Sequence, residues 1–164
     1  MIPKKTGDLI FSLCLLCLIG TGCTALTPTS KQRTEISPVS NARLDLHGQG
    51  LRSIPQDIFK RTDLGELDLS QNSLTGSIPA EIRFLSKLEV LDLSNNAMAG
   101  LPAEIGQLTR LKTLDLSNNQ LTGLPLELGQ LTNLETLDLR GNKYSEVDLN
   151  KIRSMLIHTE IIVD

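Results

Sequence analysis

The sequence predicts an α/β solenoid: a short right-handed horseshoe with a parallel sheet on its concave face and a helix–strand cap at its C-terminal end. Three observations predict it. The string Leu-Asp-Leu recurs at Leu44, Leu67, Leu91, Leu114 and Leu137, at spacings of 23, 24, 23 and 23 residues, and a fixed period of this size marks a stacked repeat. Around each recurrence apolar and polar residues alternate, the period of a strand. Between recurrences, Pro55, Pro79, Pro102 and Pro125 open segments with apolar residues at helix-like intervals, such as Ile105/Leu108/Leu111 and Leu128/Leu131/Leu134. Aromatics are only 2% of the 164 residues, with no Trp. Aliphatic side chains must therefore fill the interior.

The N-terminal segment reads as an address. Lys4 and Lys5 form a basic start, Leu9–Ile19 is an apolar run, and Gly20, Thr21 and Gly22 lead to Cys23. The run suits a signal peptide, because a spanning helix needs about 20 apolar residues. This order resembles the lipobox of bacterial lipoproteins, although Gly20 stands where that family usually has Leu. The resemblance implies cleavage of residues 1–22 and acylation of Cys23. It also implies an envelope location held by the lipid anchor alone, in the outer membrane if the cell has two, since Thr24 is not the Asp of an inner-membrane retention signal. Two or three acyl chains anchor stably, whereas one does not. Cys14, Cys17 and Cys23 are the only cysteines, so no disulfide framework or thiol site follows them. Residues 23–40, rich in Thr, Ser and Pro, read as a flexible tether of roughly 22 Å mean span.

Residues 41–143 hold about five repeats. The pattern L-x-x-L-x-L-x-x-N-x-L is seen at Leu64, Leu67, Leu69, Asn72 and Leu74, and again from Leu88, Leu111 and Leu134. This resembles the leucine-rich repeat family, which implies a non-enzymatic module that binds a protein or peptide. In each unit the two leucines point one way and the Asp between them the other. One short strand cannot bury its leucine face alone, but a stack can. Asn72, Asn96, Asn119 and Asn142, with Gln49 in the first unit, recur where the strand must turn. Their amides are expected to bond free backbone groups of the adjacent coil.

Two units depart from the pattern. The second reads GSIP where others read GLP, a variant similar to plant-type repeats. The first has Arg61 where later units have Leu85, Leu108 and Leu131, so it reads as an edge whose charge can reach solvent. Residues 144–164 read as the cap: Ser145 as helix N-cap, Val147, Leu149, Ile152, Met155 and Leu156 as an apolar stripe, and Thr159–Val163 as a last strand.

Without residues 1–22, the 16 basic and 19 acidic residues fall to 14 and 18, a net charge of −4. No basic stretch exists to neutralise phosphates, which excludes a nucleic-acid binder. Asp45, Asp68, Asp92, Asp115 and Asp138 share one outward strand position, a column of like charges about 4.8 Å apart. Neighbours repel by about 0.9 kcal/mol at water-like dielectric. With Ser70, Ser94, Ser117 and Arg140 beside it, the column forms the candidate binding face, one that attracts a basic partner. Alternatively, Asp is only a habit of such repeats, bonding nearby Ser hydroxyls and backbone. No nucleophile, phosphate loop or metal cluster accompanies it, so no catalytic site, cofactor or metal is expected. His47 and His158 fall at opposite ends. The expected state is a monomer. The rival reading is a structural envelope spacer without a specific ligand.

Overall fold

A computed structural model describes residues 42–164. The signal segment, Cys23 and the tether lie outside the described residues. Along the chain run β1 (Ala42–Asp45), β2 (Leu64–Asp68), β3 (Thr75–Ser77), β4 (Val90–Asp92), β5 (Ala97–Gly100), β6 (Thr113–Asp115), β7 (Thr136–Asp138), α1 (Glu146–Met155) and β8 (Glu160–Ile162). Short 3₁₀ turns at Gln56–Lys60, Ala80–Phe84, Ala103–Gln107 and Leu126–Gln130 return the chain to each next strand. Each opens behind one of the four prolines, whose fixed φ suits the entry.

Among the described residues, β1, β2, β4, β6, β7 and β8 form one six-stranded parallel sheet in that order. Leu44, Leu67, Leu91, Leu114 and Leu137 stand in register across it. The sheet bears one face of a solenoid whose interior is almost wholly leucine and isoleucine. Leu91, Leu93, Leu114, Leu116, Leu137 and Leu139 are fully buried. Ile82, Ile105 and Leu128 close the opposite side from the 3₁₀ turns. The turns stack closely. A Cβ at Gly106 would lie 2.5 Å from the Glu127 carbonyl oxygen, so only glycine fits there.

The asparagine ladder forms as expected, beginning at the second unit. Asn119 Oδ1 accepts from Met98 N at 3.1 Å, and its Nδ2 donates to the carbonyls of Leu93, Leu116 and Ser117 at 3.0, 3.1 and 3.3 Å. Asn72, Asn96 and Asn142 repeat this set, each tying its own turn to the preceding coil. Gln49 does not join them: it is exposed. Among the described residues no coil precedes its own, so no carbonyl there stands within its reach.

A second small sheet, β3 with β5, was not foreseen. Its register shifts between Gly76 and Ser77 of the GSIP segment, where Ala99 of β5 is passed over.

The cap is a helix and a strand, and β8 pairs parallel with β7. Two details differ from expectation. Ser145 stands at the N-cap position, but its hydroxyl makes no capping bond; its backbone carbonyl accepts from Asp148 and Leu149. Of the apolar stripe, Leu149, Ile152 and Leu156 are buried, whereas Val147 and Met155 are 63% and 44% exposed. The helix packs against the last 3₁₀ turn, where a Cβ on Gly129 would strike Met155. No described helix is long and apolar enough to cross a membrane.

Candidate binding face

Strand register places the five aspartates side by side: Asp45 with Asp68, then Asp92, Asp115 and Asp138. β8 ends the column, setting Ile162 beside Asp138. Every one of these carboxylates has a local task. Its Oδ1 accepts the amide two residues on: His47 at 3.1 Å, Ser70 at 3.0 Å, Ser94 at 2.9 Å, Ser117 at 2.8 Å and Arg140 at 3.0 Å. An Asp side chain that bonds the backbone two positions ahead builds a turn. The repeated Asp thus ends each strand, whatever else it does.

The following residue pair is turned the same way in each coil. Gln71, Asn95 and Asn118 adopt φ of 53–56°, and Gly48 and Gly141 occupy the equivalent place with φ of 63° and 68°. From this left-handed position the amide donates to the next coil: Gly48 to Ser70 O, Gln71 to Ser94 O, Asn95 to Ser117 O and Asn118 to Arg140 O, at 2.8–3.0 Å. Gly141 meets no further coil. Its amide donates instead to the Asp164 carboxylate at 2.9 Å, so a side chain stands in for a backbone carbonyl.

This geometry divides the predicted face. Ser70, Ser94 and Ser117 are 5–6% exposed, so they offer a ligand almost no surface. That corrects the expectation of an outward serine column: the Asp takes the serine amide, the chain curls inward, and the small side chain is covered. Ser70 Oγ donates to Asp68 at 2.6 Å and also meets His47 Nδ1 at 2.9 Å. Asp138 is likewise buried, at 5%. Arg140 is exposed and folds over it, donating from Nε to both carboxylate oxygens at 3.1 Å and from Nη2 to Oδ2. At the other end Arg43 lies 3.8 Å from Asp45 and 3.7 Å from Glu66.

Each end of the column therefore has its arginine. Asp68, Asp92 and Asp115 are half-buried, and among the described residues no cation lies within ion-pair distance of them. Val90, Thr113 and Thr136 stand beside the row on the same face. A shallow hollow of about 170 Å³ opens over Arg43, Glu66, Asp68, Val90 and Asp92.

Burial pushes the Asp138 carboxyl up, but the Arg140 side-chain bonds, its amide and its charge together outweigh this. They hold the carboxyl below its ordinary value of 3.8. A depressed carboxylate adds stability that is complete above the unfolded value and fades as pH falls through the lower folded value. Arg140→Ala removes the side-chain bonds and the charge and leaves only the amide to offset burial, so the Asp138 titration should move upward. NMR titration of the side-chain carboxyl checks this. An unmoved titration would mean that Arg140 is not what holds Asp138 down.

The profile of the leucine-rich repeat region matches residues 44–156. Mouse Tsukushi is 40% identical over 67 residues, 39% of this chain and 19% of that protein. A leucine-rich-repeat protein of Leptospira interrogans superposes with TM-score 0.63 at 47% identity, covering 66% of this chain and 28% of that one. The plant peptide hormone receptor RGFR1, solved in complex with RGF2, gives TM-score 0.61 at 32% identity, covering 74% of this chain and 24% of the receptor. The chain thus spans less than a third of the length of each of these relatives. With the repeat pattern, the register-locked sheet and the profile in agreement, the chain belongs to the leucine-rich repeat family.

Proposed function

We propose that the chain is a non-enzymatic module that binds a protein or peptide on its concave sheet, displayed on the cell envelope as a lipoprotein. The observation that carries the binding reading is the row Asp68, Asp92 and Asp115, held in register between two arginine-closed ends with, among the described residues, no cation at ion-pair distance. Field from such a row adds at its middle, which favours a basic segment laid across the strands. A relative solved as a peptide hormone receptor complex supports a ligand of this class.

The test is binding of a short arginine-rich peptide at two salt concentrations, to wild type and to the Asp68→Asn/Asp92→Asn/Asp115→Asn chain. Asn keeps the size and the oxygen that accepts the amide two residues on, so the turns survive. Association should slow and its salt dependence should flatten, with dissociation changed less. Equal affinities at both salts would leave the column as a turn device alone. A structural spacer is the second reading, and one observation favours it: all five aspartates already serve the fold through the same backbone bond.

Envelope display rests on the basic, apolar, small and Cys order that ends at Cys23. Cells grown with a fatty-acid analogue should label the wild-type chain and not Cys23→Ala. Equal labelling of both would remove the lipid anchor from the account, and fractionation with the inner membrane alone would remove the outer-membrane placement.

A further inference from the structure

Among the described residues, the first strand is an open end of the array. At the strand position of Leu67, Leu91 and Leu114 the leucines are 0–1% exposed, whereas Ala42, Leu44, Leu46 and Leu51 are only partly buried against the core. Helix α1 and strand β8 cover the other end. Among the described residues nothing pairs with the outer edge of β1. Leu46 donates its amide to Asp68 O, toward β2. By strand alternation, the amides and carbonyls of Arg43 and Asp45 face away from the sheet. Such an edge is a template for another strand.

We propose that β1 seats a second copy of this chain, antiparallel, about a two-fold axis beside Leu44 and perpendicular to the sheet. Charge selects that register. Outward groups must meet outward groups, so the axis can fall at Arg43, Leu44 or Asp45. At Arg43 it sets guanidinium against guanidinium, and at Asp45 carboxylate against carboxylate. At Leu44 it sets Arg43 opposite the second copy's Asp45 and Asp45 opposite the second copy's Arg43. The outward groups then close four backbone hydrogen bonds. Two opposite-charge pairs form on the concave side, the arrangement that stabilises antiparallel neighbours, while like charges there destabilise. On the core side Leu44 meets its own counterpart, and Ala42 meets the second copy's Leu46. Both half-open leucine layers are covered by one contact, an isologous interface. Arg43 is free to turn toward it: its contacts to Asp45 and Glu66 are 3.8 and 3.7 Å long and its side chain is 61% exposed. The pairing replaces the monomer expected from the sequence and does not depend on what the concave face binds.

The test uses two full-length chains with different tags, co-expressed, extracted in detergent and captured through one tag. Wild type should recover wild type. Arg43→Asp alone sets acid against acid at both cross-strand pairs, and Asp45→Arg alone sets base against base. Each should recover its own kind about tenfold less well. A chain with Arg43→Asp co-expressed with one carrying Asp45→Arg restores opposite charges at both pairs, and recovery should return to the wild-type level. Both positions are exposed, but Asp45→Arg also gives up the bond to the His47 amide, so thermal unfolding of each variant is measured beside capture, and Arg43→Asp, which breaks no such bond, keeps the pairing test separate from folding. Recovery indifferent to the reversals overturns the proposal. So does failure of wild type to recover wild type, which would assign the edge to residues 24–41 of the same chain or leave it bare.

Discussion

Leu116→Ala should lower the stability of the array by about 2–5 kcal/mol, the range for a core leucine whose cavity does not collapse. Leu116 is fully buried, with Leu93 and Leu139 at the same position in the coils on either side. Its backbone is fixed as well: its amide donates to Asp138 O at 2.9 Å, and its carbonyl accepts from both Asn119 and Asn142. The walls of the cavity cannot move in without breaking those bonds. Each coil touches only its neighbours, so a weak coil in the middle uncouples the two ends. The melting temperature should fall by about 10 °C or more, and the transition should broaden. Leu44→Ala, at the half-open edge, should cost less than half as much. Circular dichroism melts of the three chains check this. An unchanged melting temperature for Leu116→Ala would mean that the strand's inward and outward faces are wrongly assigned.

Asn119→Ala should cost about 2–4 kcal/mol, although it removes few apolar contacts. The amide serves four backbone groups in two coils and is 7% exposed. Water cannot easily replace it, and each buried group left without a partner costs about 1–3 kcal/mol. Asn119→Asp separates the two halves of the amide. The carboxylate keeps the bond from Met98 N but sets negative charge against three carbonyl oxygens. Protonation relieves that repulsion, so the folded chain holds the proton more tightly than the unfolded one. The penalty should therefore grow as pH rises through the carboxyl's unfolded value and shrink below it. Urea melts at several pH values check the sign. A pH-independent penalty would mean that the three donor bonds matter little.

The sequence carried these positions because burial and hydrogen bonding act on every coil alike. A leucine that must be dry, or an amide that must bond two coils, cannot vary without a cost, so it repeats at a fixed spacing. The Asp column was legible for the same reason, and the sheet register then follows from the repeat length. The serines beside it were misread because alternation alone sets them outward. The Asp–amide bond that curls the chain under recurs in every coil, but strand alternation by itself says nothing of it. The caps were legible in kind but not in detail. Ser145 has the right chemistry for an N-cap, yet only its backbone is used. Asp164 takes the Gly141 amide because no further coil supplies a carbonyl there, a role set by its place in space. The β3–β5 sheet was invisible because its strands, Thr-Gly-Ser and Ala-Met-Ala-Gly, carry no apolar alternation and only Thr75 among the residues that favour strands.

The central claim is that the concave sheet, and not the convex side, is the surface that meets a partner. Site-specific photo-cross-linking in the cells that make the protein tests it most directly. One chain carries the photoreactive residue in place of Thr113, on β6 two residues before Asp115 and beside Val90 and Thr136 on the same face. Another carries it in place of the exposed Gln107, on a convex 3₁₀ turn. The account predicts a discrete adduct from position 113 that is lost with Asp68→Asn/Asp92→Asn/Asp115→Asn, and none from position 107. Adducts of equal yield from both positions, or an adduct from position 107 alone, would contradict it.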